Sequence, residues 1–131
     1  MSGLLLDTNH ASLLFRDDPR LTKKASLLPT AFYVCRPSVG ELWFMMYNSG
    51  RVPENVRKMT RFLRAFAHLE FDAAAAIRFG QIKTDLRRRG RMIGNIDIQI
   101  AAIALVHDLT LLTHDRDFDN IADLRRDDWL R

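Results

Sequence analysis

Leu4-Leu5-Leu6-Asp7-Thr8-Asn9 decides how this chain is read: three apolar residues stop at an acid, and the next apolar positions, Ala11, Leu14 and Phe15, keep helical spacing. A short run that is apolar at every position is a strand covered on both faces, here feeding a helix. Working outward, Asp17-Asp18-Pro19 marks a turn and a new helix start, after which Leu21, Ala25 and Leu28 form an i, i+4, i+7 face that Pro29 stops. Residues 31–35 read as a second buried strand. From Ser38 a strongly apolar helix runs through Leu42, Trp43, Phe44, Met45, Met46 and Tyr47 to Asn48-Ser49-Gly50, greasier than one core face requires.

A further helix from Pro53 turns Val56, Met59, Phe62, Leu63 and Phe66 inward and Arg57, Arg61 and Arg64 outward. Leu69-Glu70-Phe71 reads as a short edge strand. Asp72 is placed to cap a helix over residues 73–89, in which Phe79, Ile82 and Leu86 share a face before Gly90 ends it. Gly94-Asn95 opens a helix that is apolar nearly all round and therefore central. Residues 109–113 form a third buried strand ending at His114-Asp115, and residues 127–130 add a short final strand at the edge. Strands alternating with helices predict an α/β fold with an open, mostly parallel sheet covered on both faces.

The 131 residues fit a single domain spanning 1–131, with 47% apolar and 27% charged residues leaving no long polar tract to read as disordered. Twenty Lys and Arg against sixteen Asp and Glu give +4 with His neutral, a surface that permits polyanion partners without specifying them. Cys35 is alone, so no intrachain disulfide forms, and its apolar setting marks it as a packing residue. Neither the N-terminal apolar run nor residues 100–106 approach the length of a signal peptide or a membrane span, so the chain is expected to be soluble and cytoplasmic.

Four acids stand where a parallel sheet places its sites, beyond the carboxyl ends of strands. Asp7 ends the first strand and Asp115 follows the third; Glu41 lies in the first turn of the helix after the second strand, and Asp97 in the first turn of the central helix. Such carboxylates repel by about 1 to 4 kcal/mol per pair at 4 Å, and a bound cation removes that cost. Oxygen-only ligands point to a hard ion, Mg²⁺ or Mn²⁺, and so to hydrolytic phosphoryl transfer. Each acid also has a plainer reading. Ser38-Val39-Gly40-Glu41 matches a capping box, Asp97 complements a helix dipole, and Asp115 could cap the turn after it. Asp7, set directly after a buried strand, would be desolvated without a partner and is the hardest to explain structurally.

Together these stretches resemble the PIN-domain ribonucleases, specifically the VapC toxins of toxin–antitoxin pairs. The likeness runs through Leu4-Leu5-Leu6-Asp7-Thr8-Asn9, Ser38-Val39-Gly40-Glu41-Leu42, Ile93-Gly94-Asn95-Ile96-Asp97-Ile98-Gln99-Ile100-Ala101-Ala102 and Leu111-Leu112-Thr113-His114-Asp115-Arg116-Asp117-Phe118. The resemblance implies a three-layer α/β/α domain with a five-stranded sheet, and an endoribonuclease that depends on Mg²⁺ or Mn²⁺. Asp7, Glu41 and Asp97 then match the acidic triad, Asp7 and Asp97 as metal ligands. Asp115 takes the fourth position, with Asp117 as its substitute, and Thr8, Asn9 and Thr113 are supporting polar groups. It further implies an RNA substrate, with transfer RNA a frequent target of similar toxins, a VapB-type antitoxin and a homodimer. Trp43, Phe44, Met45 and Met46 would serve either the core or a dimer or antitoxin surface.

Lys83, Arg87, Arg88, Arg89 and Arg91 cluster where positive charge suits a helix end, and the loop they enter leads to Asp97, so Arg87, Arg88, Arg89 and Arg91 are candidates for RNA contact. His10, His68, His107 and His114 read as surface or rim residues, with only His114 near the site. His107-Asp108 and His114-Asp115 lack the ligand set of HD-type phosphohydrolases. Asn9 stands where a haloacid dehalogenase has its second acid, and receiver domains pair acids after the first strand, which this chain does not. Two other readings compete: a PIN-like module that binds RNA or a partner without cleaving, and a nuclease directed at DNA.

Overall fold

A computed structural model of the chain describes residues 3–28 and 30–131. Five strands, β1 (Leu4–Leu6), β2 (Phe32–Cys35), β3 (Ala67–Leu69), β4 (Thr110–Leu112) and β5 (Arg126–Asp127), form one sheet in the order β3-β2-β1-β4-β5. Every pairing is parallel. Six helices cover it: α1 (Thr8–Phe15), α2 (Pro19–Leu27), α3 (Arg36–Tyr47), α4 (Val52–Leu63), α5 (Ala73–Arg88) and α6 (Asn95–Val106), with a 3-10 helix at Arg116–Asn120. This is the three-layer α/β/α arrangement. Among the described residues no helix is long and apolar enough to cross a membrane.

Side chains of successive strand residues point to opposite faces. Leu5, Cys35 and Leu111 accordingly join α5 and α6 in one core, while Leu6, Val34 and Leu112 join Ala11, Leu21, Leu42 and Met59 from α1 to α4 in the other. Adjacent buried residues in β1, β2 and β4 are thus explained by two cores rather than one. Chain direction then fixes the site. The strand order runs outward from β1 through β2 to β3 and returns to the other side of β1 for β4, so the crossovers diverge beside β1. That divergence makes the carboxyl ends of β1 and β4 the switch point of the sheet, where open α/β folds place their sites.

Local signals account for most helix boundaries. Asp18 accepts the Arg20 N–H and Asp72 the Ala75 N–H, and Gly90 takes a φ of 66° after α5, a conformation that favours glycine. Several boundaries differ from the sequence reading. Leu28 lies past the end of α2, extended and exposed, and Pro29 falls outside the described residues. Helix α3 starts at Arg36 because Pro37 can occupy its first turn, so Ser38 lies inside the helix and no Ser38–Glu41 capping box forms. The edge strand is Ala67–Leu69, ahead of Leu69-Glu70-Phe71, because Tyr33, Val34 and Cys35 pair in register with Ala67, His68 and Leu69. The last strand is Arg126–Asp127; Trp129 leaves the sheet and packs edge-on against Phe32. Helix α6 is central, but Ile96 and Val106 at its two ends reach solvent.

Gly3 leads into β1 with no room for a side chain, since a Cβ there would stand 2.6 Å from the Tyr33 ring and 3.0 Å from the Ala31 carbonyl oxygen. Gly3→Ala should therefore cost about 1 to 3 kcal/mol of stability by crowding. Urea unfolding measures it, and an unchanged midpoint would show that the ring yields freely.

Candidate active site

Asp7 stands directly beyond β1, its backbone N–H still donating to Leu112 O at 3.1 Å as if the strand continued. Its buried side chain caps α1: Oδ1 accepts the His10 backbone N–H at 2.7 Å. Oδ2 accepts no hydrogen bond from the described residues. One step on, the Thr8 hydroxyl donates to Glu41 Oε1 at 2.5 Å, tying α1 to α3. Because α3 begins at Arg36, Glu41 sits in its second turn, one turn deeper than the sequence suggested. It faces Thr8, not its own helix start.

On the other side of β1, Thr113 is buried and its Oγ1 accepts the Asp115 backbone N–H at 3.1 Å. Asp115 caps the 3-10 helix, Oδ1 taking the Asp117 N–H at 2.9 Å, while the residue as a whole is exposed. Asp97 lies in the first turn of α6, half-buried, and the nearest atom a Cβ on Gly94 would meet is Asp97 Oδ2, at 4.0 Å.

The four acids share one electrostatic environment. Burial first, and then the charges of Asp115, Glu41, Asp7 and, least, Asp117, together push the Asp97 carboxyl up to about 6. In that order the Asp115 charge acts on Asp97 more strongly than the Asp117 charge does. Burial, joined by repulsion, raises it although Asp97 sits at the positive end of a helix. The donors are all oxygen, with no Cys or His among them, and the desolvated, crowded Asp97 is the position a divalent cation would relieve. Among the described residues no three His, Cys, Asp or Glu side chains form a ready-made metal cage.

Of the supporting groups, Thr8 and Thr113 orient acids, whereas Asn9 is exposed and makes no hydrogen bond with the described residues. Cys35 is the inert packing residue expected: it is fully buried, and burial raises its thiol pKa. The basic cluster divides. Arg89 is held by Asp85 and the Asn120 carbonyl, and Lys83 donates to Asn95 Oδ1, while Arg87, Arg88 and Arg91 are exposed and make no side-chain hydrogen bond or ion pair among the described residues.

Sequence reasoning missed two residues. His10 is fully enclosed rather than on the rim, 3.3 Å from Asp7 Oδ1 through Nδ1. Its position beside Ala11 on the inward side of α1 was the available signal. Asp128 links His10 and His114, with Oδ2 2.6 Å from His114 Nδ1. Burial would raise its carboxyl, but hydrogen bonds from His114 and the Leu130 N–H outweigh that and hold it below the usual range.

Residues 4–124 match the PIN domain family. The chain belongs to that family. This PIN domain is 29% identical to the tRNA(fMet)-specific endonuclease VapC of Shigella flexneri, over 98% of this chain and 99% of that protein. It is 30% identical to the protein of the same name from Salmonella typhimurium, over 98% and 99%. Among solved structures it superposes on DNA-bound VapBC from Salmonella typhimurium with a TM-score of 0.91 and 27% identity, covering 98% of this chain and 99% of that one. VapBC2 from Rickettsia felis bound to a promoter DNA fragment gives a TM-score of 0.90 at 25% identity, covering 96% and 98%.

The raised Asp97 pKa has a thermodynamic consequence. The unfolded chain releases that proton near 3.8 and the native chain near 6, so native stability falls as pH rises through that window and the loss persists above it. In chelator-treated buffer, Asp97→Asn should melt higher than wild type at pH 7, the two converging toward pH 4. A variant that melts lower at pH 7 would show the ionised carboxyl to be well accommodated.

Proposed function

We infer that this PIN domain is the endoribonuclease toxin of a VapBC-type pair, hydrolysing RNA phosphodiester bonds at the Asp7, Glu41, Asp97 and Asp115 cluster with Mg²⁺ or Mn²⁺. The observation that carries the reading is the Asp97 carboxyl, pushed to about 6 by burial and by the charges of the other acids. Like charges held together against solvent at a sheet's switch point suit a cation site better than a structural one.

Asp7 and Asp97 are the ligands, Asp7 through the Oδ2 that its helix cap leaves free. Glu41 is aimed by the Thr8 hydroxyl and Asp115 by the Thr113 turn, so both complete the cluster from opposite sides of β1. A divalent ion bound there supplies acidified water and neutralises charge developing on the phosphate. Arg87, Arg88 and Arg91 hold the RNA backbone as it approaches Asp97, their positions leaving them free to pair with phosphate. Transfer RNA is the substrate class favoured by the names of the relatives from Shigella flexneri and Salmonella typhimurium.

The antitoxin reading draws on the VapBC complexes and on a groove of about 570 Å³ beside the acids, lined in part by Thr8, Glu41, Phe44, Met45 and Ile96. Of the surplus apolar residues of α3, Met46 belongs to the core, Trp43 and Met45 are partly covered, and Phe44 is 70% exposed at that groove. A VapB-type antitoxin covering the groove would shield both Phe44 and Glu41.

Asp97→Asn should keep the fold and lose RNA cleavage by more than about a hundredfold, because each ~1.4 kcal/mol of transition-state stabilisation removed costs a decade of rate. Cleavage of purified transfer RNA, with Mg²⁺ and then with chelator, measures this; full activity of the variant, or of wild type in chelator, contradicts the metal-site assignment. Replacing Arg87, Arg88 and Arg91 with Ala should raise KM and flatten the salt dependence by roughly one unit of log–log slope for each phosphate left without its arginine. An unchanged salt slope would remove these residues from the RNA path.

A further inference from the structure

His10 contributes nothing to the acidic cluster, yet it is enclosed directly beside it. Two contacts define its ring. The Trp129 backbone N–H donates to Nε2 at 3.3 Å, across 119 residues of chain. Nε2 must therefore present its lone pair, which places the ring proton on Nδ1. Nδ1 lies 3.3 Å from Asp7 Oδ1 but off the line of a hydrogen bond, and it is the one buried side-chain nitrogen or oxygen among the described residues without a hydrogen-bond partner. The nearby Asp128 is engaged elsewhere: Oδ1 accepts the Leu130 N–H at 2.9 Å and stays 3.7 Å from Nε2, and Oδ2 meets His114.

We propose that His10 is a positioning residue for Asp7: the Trp129 backbone fixes the ring in its Nδ1–H form, and Nδ1, 3.3 Å from Asp7 Oδ1 without completing a hydrogen bond, holds the carboxylate by charge–dipole attraction so that Oδ2 is the oxygen offered to a divalent cation. The proposal rests on the nuclease reading of Asp7. Oδ1 already accepts the His10 main-chain N–H, so one residue confronts one oxygen from both its backbone and its ring. A donor buried without a complete partner is costly, and it persists where the surroundings over-determine it. Here the surroundings are the helix cap on one side and the Trp129 N–H on the other. Groups outside a metal's ligands that orient those ligands act in this way, and Thr8 does the same for Glu41.

Long-range proton–nitrogen correlation spectra of the wild-type chain report which ring nitrogen carries the proton. Nδ1–H with a bare Nε2 is expected; a proton on Nε2, or on both nitrogens, overturns the proposal whatever the variants do. Two substitutions then separate orientation from packing. His10→Phe keeps a ring and removes both nitrogens, whereas His10→Asn restores an amide N–H near the position of Nδ1. Mn²⁺ binding, followed by loss of the free-ion paramagnetic resonance signal, should weaken roughly 10- to 100-fold in His10→Phe and recover most of that in His10→Asn. A structural role alone would lower melting temperatures and leave Mn²⁺ affinity unchanged. Equal affinity in all three proteins, or a His10→Asn no better than His10→Phe, therefore refutes it. Wild-type protein that neither binds Mn²⁺ nor cleaves RNA would sink the nuclease reading instead, and the ring spectra would still decide the His10 contact.

Discussion

Everything at the rim depends on β1 being flanked on both edges by parallel neighbours. With β2 on one side and β4 on the other, its peptide groups are spent within the sheet, its side chains are divided between two cores, and its only outlet is the carboxyl end. Parallel strands place all such ends on one side of the molecule. The divergence of the crossovers beside β1 makes that end the switch point of the sheet. Burial, and after it the charges of the other acids, lift the Asp97 pKa at that end of the sheet.

The geometry divides the work between acids and the neutral groups that aim them. Asp7 and Asp115 are each anchored by one oxygen to a backbone N–H, as helix caps, and this fixes their orientation without neutralising their charge. Capping and chemistry are therefore not competing explanations for these residues. A cap constrains rotation about the side chain, which is what a site with few ligands needs. The same economy appears at Glu41, whose partner is a hydroxyl from another helix rather than its own helix start.

Much of this was legible in the residues. Leu4-Leu5-Leu6 and residues 31–35 have too many consecutive apolar positions for a half-exposed strand, and these strands, like the one carrying Leu111-Leu112, lie between two layers. Asp18 and Asp72 announced their helices by the rule that short polar side chains satisfy the first free N–H groups. The misplacements have local causes. Pro37 looked like the residue before a helix but sits inside its first turn, which moved Glu41 out of the capping position. The edge strand slid to residues 67–69 because register with β2 outweighed the apolar pattern of residues 69–71. His10 was hidden because a histidine carries no apolar signal, and its partner Trp129 is remote in sequence. Asp128 was hidden for the same reason.

The contact between His10 and Trp129 also orders events during synthesis. The rim draws its parts from residue 7 and from residues 113–129, so a nascent polypeptide displays Asp7 long before the ribosome has delivered the strand and loops that frame it. Until then Asp7 is a capping residue on a fragment, without the neighbours that gather charge around it. A chain that stops before Asp115 thus lacks one of the four acids and the turn that holds it.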